Sequence, residues 1–325
     1  MQGHHPDRAH VHLLLRVSQL YYEDGLNQAA IAREVGYSRP TISRLLTEAR
    51  ERGIVTITIS HPLQRLIDLE DQLVNRFGLL HARVSEVEPS DDPATVIGGE
   101  AADLLASLGR PGTIIALSNG RSIAAAVKCM EPRHWAGSCI AQMIGSVGNG
   151  LVVEDSPRVC RMLADRVGAD YANMPVPLML ESASLARAMR HEPQVAAALQ
   201  LAARADIALV GVGAVDDSGV GGPILQPYID DEMAKAIRAK GAVGHICGHH
   251  FDAQGNHIHT SLCDRMIALD PARLRDLPCV IGVAWGEKKV AALRAAIAGR
   301  YINTLVTDKA TAQALLEDDK AVSET

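Results

Sequence analysis

Alternating helical and strand-like segments after residue 94 limit the fold of this chain more than any other feature. A helical pattern over 95–108 precedes an apolar run over 113–117, and a helix over 122–130 precedes a strand over 139–144. Such alternation is typical of a mostly parallel sheet covered by helices on both faces. We therefore predict an α/β fold. Further strands are predicted over 206–212, 242–247, 278–284 and 302–307.

Composition supports this class and excludes several others. The chain has 325 residues, 47% hydrophobic and 22% charged, which fits about two globular domains and argues against disorder. Only 3% of the residues are aromatic, so the core must be built from aliphatic side chains. No apolar run approaches the length of a membrane helix, the first residues do not resemble a signal peptide, and the six cysteines form no CxxC pair. We expect a cytoplasmic protein with no cofactor.

Charge is distributed unevenly between the two ends of the chain. The total is -6, but residues 1–60 carry a net charge of +1 and the remainder carries -7. The stretch 33–52 contains five arginines, and its three acidic residues lie near its ends. We predict a small basic domain over 1–60, a linker or dimerisation helix over 61–90, and an effector-binding and oligomerisation domain over 91–325.

The basic segment has the pattern of a helix-turn-helix. A first helix begins near Leu13, Asn27 can cap a second, and Gly36 is followed by Ser38 as the cap of a third. The alternating residues 54–59 predict a short strand or wing. The first turns of the third helix would face the major groove, and the start of the second would face the backbone. The predicted DNA-binding residues are Gln28, Ser38, Arg39, Pro40, Thr41, Ser43 and Arg44. The alternative is a three-helix module without a DNA role.

Leucines at helical spacing over 62–77 predict an amphipathic helix between the two domains. Its apolar face could form a dimer contact or pack on its own large domain. The sequence leaves both possibilities open.

Small and charged residues follow several predicted strands, where ligands bind in open α/β sheets. One such loop runs from Ser118 through Asn119, Gly120 and Arg121 to Ser122, at the start of a helix. Free amides there, together with the Arg121 cation, suit a phosphate or a polyhydroxylated ligand. Two further loops contribute Gly211, Gly213 and Lys289, and we expect the three loops to converge.

Other chemistries fit less well. Asp216 stands where a GxGxxG motif needs its third glycine, and the nucleophile motif GxSxG is absent. Histidines over 245–259, with Cys263 nearby, offer metal-ligating atoms, but their spacing matches no standard zinc pattern. The sequence therefore predicts neither catalytic residues nor a metal site.

Short motifs along most of the chain resemble the SorC-type sugar-binding transcriptional regulators of bacteria. In the basic part the resemblance is carried by 22–28, 38–46 and 49–59. In the large part it is carried by 211–213, 241–244, 251–255, 286–289 and 305–308. The order and combination of these motifs are more specific than any one of them.

This resemblance implies a winged helix-turn-helix followed by an effector domain of the sugar-phosphate isomerase and CoA-transferase type, without enzyme activity. It also implies tetramers and a pocket for a sugar, a polyol or their phosphates. The loop 118–122 and Lys289 would line that pocket, with Asp308 close by. Two positions depart from the family: His245 replaces an acidic residue, and Asn119 and Gly120 replace a more usual Gly-Gly or Trp-Gly pair. Both fall at the pocket, so the resemblance does not identify the ligand.

The resulting prediction is a regulator of a carbohydrate operon that binds a roughly palindromic double-stranded operator as a dimer or tetramer, without a membrane partner. The effector could release DNA or promote binding. The alternative is an enzyme acting on a sugar phosphate, with Lys289 or Asp308 as its reactive group.

Overall fold

The computed structural model describes residues 8–56, 62–147, 155–215, 222 and 224–317. The chain divides into two compact units, Met1–His61 and Pro62–Thr325. No described helix is both long enough and apolar enough to cross a membrane.

The described part of the small unit contains three helices, α1 (Arg8–Tyr22), α2 (Gln28–Val35) and α3 (Arg39–Glu51). The Asn27 side chain accepts hydrogen bonds from the amides of Ala29 and Ala30, which starts α2. Ser38 caps α3 by accepting from the Thr41 amide, and a proline occupies the first turn.

Apolar side chains from all three helices form the core of this unit. Leu14, Val17, Ile31, Ile42 and Ala49 are each 0% exposed. This burial fixes which faces of the helices are internal and leaves the opposite faces to solvent.

The predicted wing is only partly described. Ile54 and Val55 form a bend whose amides donate to the Ala49 carbonyl, so residues 54–56 do not begin a strand. Residues 57–59 of the prediction lie outside the described residues.

The large unit contains the remaining elements. Its described helices are α4 (Pro62–Phe77), α5 (Pro93–Leu108), α6 (Arg121–Cys129), α7 (Ser156–Val167), α8 (Ala183–His191), α9 (Pro193–Ala202), α10 (Asp231–Ala239), α11 (Ser261–Arg265), α12 (Val290–Ala298) and α13 (Lys309–Glu317). Its described strands are β1 (His81–Ser85), β2 (Ile114–Leu117), β3 (Cys139–Gln142), β4 (Asp170–Ala172), β5 (Ile207–Gly211), β6 (Gly213–Ala214), β7 (Ala242–Ile246), β8 (His249–Asp252), β9 (His257–Ile258), β10 (Cys279–Val283) and β11 (Thr304–Asp308).

Among the described residues, seven strands form one parallel sheet in the order β1-β11-β10-β5-β2-β3-β4. Successive residues of a strand point to opposite faces. Ala208 and Leu209 of β5 accordingly belong to two different hydrophobic clusters. Both faces of the sheet are therefore covered, and the predicted α/β class with a large parallel sheet is confirmed.

The predicted strand over 242–247 does not join this sheet, which corrects that part of the prediction. It forms β7 of a second sheet, whose order is β6-β7-β8-β9 and whose pairings are antiparallel. Cys247 and Gly248, with φ of 49° and 83°, form a tight two-residue turn that sends the chain back beside β7. Sequence periodicity alone does not distinguish such a hairpin strand from a parallel one.

The segment predicted as a linker contributes α4 and β1 to the large unit. Leu73 of α4 is 0% exposed, and Glu70 accepts a hydrogen bond of 2.9 Å from the Val84 amide of β1. The strand β1 pairs in parallel with β11 at the edge of the main sheet. In this structure α4 packs on its own large unit.

Candidate functional site

A cavity of about 410 Å³ lies where loops follow the three adjacent strands β10, β5 and β2. These are the three loops that the sequence predicted would converge, and each contributes residues to the lining. The turn between β7 and β8 closes another side of the cavity through Cys247 and Gly248. The predicted effector residues that line the cavity are Ser118, Asn119, Gly120, Arg121, Ser122, Gly211, Gly213, His245 and Lys289.

The amino-terminal end of α6 forms a polar wall of this cavity. Gly120 precedes the helix with φ of 106°, a conformation that other residues adopt only with strain, and no described side chain caps the helix there. The first amides of α6 therefore lack helical acceptors. Nδ2 of Asn119 is buried and has no hydrogen-bond partner within the described part of the chain. Both features offer donors to a ligand oxygen.

Two cations, Arg121 and Lys289, line the same cavity. Nζ of Lys289 donates a hydrogen bond of 3.1 Å to the Val212 carbonyl. Burial lowers the pKa of Lys289 from its ordinary value, and the positive charge of Arg121 lowers it further. The Arg121 guanidinium lies 5.7 Å from the centre of a ring of Trp285, in cation–π geometry. An anionic ligand would relieve the repulsion between Lys289 and Arg121.

Close packing accounts for the two glycines of Gly211-Val212-Gly213 in this structure. A Cβ atom on Gly213 would lie 1.9 Å from Nε2 of His245, its partner on β7. A Cβ on Gly211 would lie 3.2 Å from Oγ of Ser122. Gly213 is therefore required by the close approach of the His245 ring.

Asp308 is the one predicted effector residue that does not line the cavity. Its Oδ1 accepts a hydrogen bond of 3.3 Å from the Gly286 amide, and the Thr311 hydroxyl accepts from the same amide at 2.8 Å. The geometry thus places Asp308 behind the loop that carries Lys289, where it holds that loop in position.

Several apolar residues of the cavity were missed by the sequence reasoning. They come from segments far apart in the chain and carry no polar group that would mark them. These residues are Ile144, Leu178, Ile224, Leu225 and Val283. Gly248 could have been identified from the sequence, because a glycine after a strand marks a turn. Trp285 stands in one of the loops predicted to converge, and it lines the cavity.

The other predicted site is the exposed beginning of α3 in the small unit. Arg39 and Arg44 are exposed, and neither guanidinium has an ion-pair or hydrogen-bond partner among residues 8–56. By contrast, Glu34 pairs with Arg16 at 2.8 Å and Glu48 pairs with Arg52 at 2.7 Å. These acids are engaged elsewhere, so the start of α3 is locally basic.

The short side chains of this site have mixed roles. Oγ of Ser38 lies 2.8 Å from Oγ1 of Thr41 and also caps α3, so these two hydroxyls restrain each other. Pro40 and Ser43 are exposed on the same two turns, and Gln28 is the first residue of α2.

A three-layered α/β domain with a polar cavity at its strand ends, preceded by a compact unit whose described residues form three helices, defines a class of ligand-responsive regulators. Residues 61–317 match the family described as "Putative sugar-binding domain". The chain belongs to this family, and it is a transcriptional regulator of the SorC type.

Individual relatives extend this likeness to nearly the whole chain. It is 30% identical to the "Deoxyribonucleoside regulator" of Bacillus subtilis over 315 residues, 96% of this chain and 99% of that one. It is 33% identical to the "Transcriptional regulator LsrR" of Escherichia coli K12 over 309 residues, 93% of each chain. The crystal structure of the full-length sorbitol operon regulator SorC from Klebsiella pneumoniae superposes with a TM-score of 0.75 at 31% identity, covering 94% of this chain and 99% of that one.

Proposed function

We propose that the small unit binds operator DNA through α3 and that a sugar phosphate in the cavity of the large unit controls this binding. Sugars and polyols without a phosphate are the other members of the ligand class that the cavity could hold. The proposal includes no catalytic step.

The arginines at the start of α3, which have no partner among residues 8–56, support the DNA-binding role. Arg39 and Arg44 can each reach a guanine edge or a phosphate when the helix enters the major groove. Thr41 and Ser43 lie on the same two turns and can contact thymine methyl groups or phosphates. Gln28, at the amino-terminal end of α2, is placed to contact the DNA backbone.

The uncapped end of α6 is the observation that carries the ligand assignment. Free amides at a helix amino terminus bind anions, and here they lie in the same cavity as the cations of Arg121 and Lys289. No carboxylate lines the described part of the cavity. With its phosphate bound at the start of α6, the ligand would place its sugar against the apolar wall and Asn119.

A dimer or tetramer would allow two copies of α3 to reach adjacent major grooves about 34 Å apart, which requires a roughly palindromic operator. Control by the ligand requires that the two arrangements of the protein differ in ligand affinity. A 100-fold difference supplies about 2.7 kcal/mol. The protein acts as a regulator whether the ligand weakens or strengthens DNA binding.

Thermal unfolding of the full-length chain with a panel of ligands tests the ligand assignment. A sugar phosphate at 100 times its Kd should stabilise the fold by about 2.7 kcal/mol, whereas the matched free sugar should stabilise it less at the same concentration. Equal stabilisation by both would contradict the phosphate assignment. Turnover of any of these compounds would contradict the absence of catalysis.

A further inference from the structure

A second cavity, of about 750 Å³, lies apart from the effector cavity and is lined by a cluster of potential metal ligands. One ligand atom from each of His249, His257 and Cys263 lies within 4.8 Å of the other two. The histidines stand on the paired strands β8 and β9, and the cysteine stands on α11. Residues that the sequence spacing did not mark as a metal site are thus brought together by the hairpin.

Two distances within the cluster fit a tetrahedral metal ion. Nδ1 of His249 lies 3.2 Å from Nε2 of His257, and that Nε2 lies 3.6 Å from Sγ of Cys263. Zinc bonds of about 2.0 Å to nitrogen and 2.3 Å to sulfur give tetrahedral edges of about 3.3 Å between two nitrogens and about 3.5 Å between nitrogen and sulfur. The cluster therefore matches two edges of such a coordination sphere.

Hydrogen bonds among these three side chains satisfy their ligand atoms less well than a bound cation would. Nε2 of His257 faces both Nδ1 of His249 and Sγ of Cys263, but a neutral imidazole nitrogen offers either one hydrogen or one lone pair. A cation between the three atoms would accept a lone pair from each.

The surroundings hold the cluster in place. Nη2 of Arg190 donates to the backbone carbonyls of Cys263 and Met266 and fixes the segment that presents the thiol. The cavity also contains Asp270, a carboxylate that would balance the charge of a bound cation.

We propose that His249, His257 and Cys263 form a three-ligand site for Zn²⁺, with its fourth position open to the second cavity. Two imidazoles and a thiolate select a borderline-soft cation over Mg²⁺ or Ca²⁺, which prefer oxygen ligands. Water or a carboxylate lining the cavity would complete the tetrahedron. This site is independent of the effector assignment, since none of its three ligands lines the effector cavity.

Cobalt substitution in the full-length, chelator-treated protein tests this site. Co²⁺ should bind at one equivalent with intense visible d–d absorption and a thiolate-to-cobalt charge-transfer band, and Zn²⁺ should displace it. The band is decisive because the histidines before Leu13 could also bind metal but have no cysteine near them in the sequence.

Two substitutions of the ligands and two matched controls complete the test. Cys263→Ser should abolish the charge-transfer band, and His257→Ala should weaken Zn²⁺ binding by at least about 100-fold in competition with a chromophoric chelator, since even the loss of an outer partner costs 10- to 100-fold. Cys129→Ser and His191→Ala, outside the cluster, should leave both measurements unchanged.

His257 is partly exposed, so its substitution reports on the site even if the buried Cys263→Ser variant does not fold. Cobalt binding without a thiolate band in the unmodified protein would overturn the proposal. Unchanged zinc affinity in folded His257→Ala would also overturn it, as would loss of the band in Cys129→Ser.

Discussion

Nζ of Lys289 donates a hydrogen bond of 3.1 Å to the carbonyl of Val212, joining the loop after β10 to the loop after β5 at the effector cavity. An ammonium group has three hydrogens, so this bond leaves two for a ligand. The same contact holds the cation in place before a ligand arrives. Lys289 therefore combines a structural and a binding role in the proposed mechanism.

Replacing Lys289 with methionine should weaken sugar-phosphate binding by about 10- to 100-fold, the equivalent of one hydrogen bond to a charged group at about 1.5 to 3 kcal/mol. Isothermal titration calorimetry would measure this change. Lys288→Met is the matched control, because Lys288 is exposed and does not line the cavity. Equal losses in the two variants would contradict the assignment of Lys289.

The affinity for a sugar phosphate should fall as the pH rises through the pKa of Lys289. Burial and Arg121 lower this pKa, so the fall should begin at a lower pH than the usual value of about 10.4 would give. The charged ammonium is present below that pKa and lost above it, which sets the sign of the effect. Calorimetry across the alkaline range should show this decline in the unmodified protein. The same decline in Lys289→Met would contradict its origin.

Gly213→Ala should destabilise the large unit by about 1 to 3 kcal/mol, the usual cost of overpacking, because its Cβ would lie 1.9 Å from Nε2 of His245. Chemical denaturation would measure the change. Adding His245→Ala removes the clashing ring and should recover most of the loss. Gly99→Ala in α5 is the control, since nothing lies within 4 Å of its Cβ and a helical alanine is favoured. A destabilisation that persists in the double variant would refute the steric explanation.

Arg39→Ala and Arg44→Ala should each weaken operator binding by about 1 to 3 kcal/mol if the side chains contact bases, and should reduce the salt slope by about one if they contact phosphates. Fluorescence anisotropy at several salt concentrations separates these outcomes. Arg16→Ala is the control, because Arg16 is already paired with Glu34. If both variants kept the wild-type affinity and the wild-type dependence of affinity on salt concentration, α3 would be excluded as the recognition helix.

Local sequence patterns predicted the central strands of the main sheet, because these strands are continuous aliphatic runs. Edge strands escaped prediction: β1 contains Arg83, and β4 is only three residues long. The pairing of β7 depends on the turn at Cys247 and Gly248, whose left-handed conformations become visible only in the folded chain.

The candidate site likewise combines residues that local sequence patterns predict with residues whose roles depend on tertiary contacts. Polar loop residues such as Asn119 and Lys289 were predictable from their position after strands. The role of Asp308 depends on a contact with the amide of Gly286, 22 residues away in sequence. The apolar wall at Ile144 and Leu178 depends on tertiary packing, for which the sequence contains no local pattern.

The most direct test of the central claim is the binding of the full-length chain to DNA from upstream of its own gene, measured by anisotropy with and without a sugar phosphate. The account predicts sequence-specific, salt-sensitive binding whose Kd changes at least about 10-fold on ligand addition, equivalent to about 1.4 kcal/mol of coupling. Lys289→Met should bind the same DNA but lose this response at that ligand concentration. DNA binding that no sugar, polyol or sugar phosphate alters, or the absence of sequence-specific binding, would contradict it.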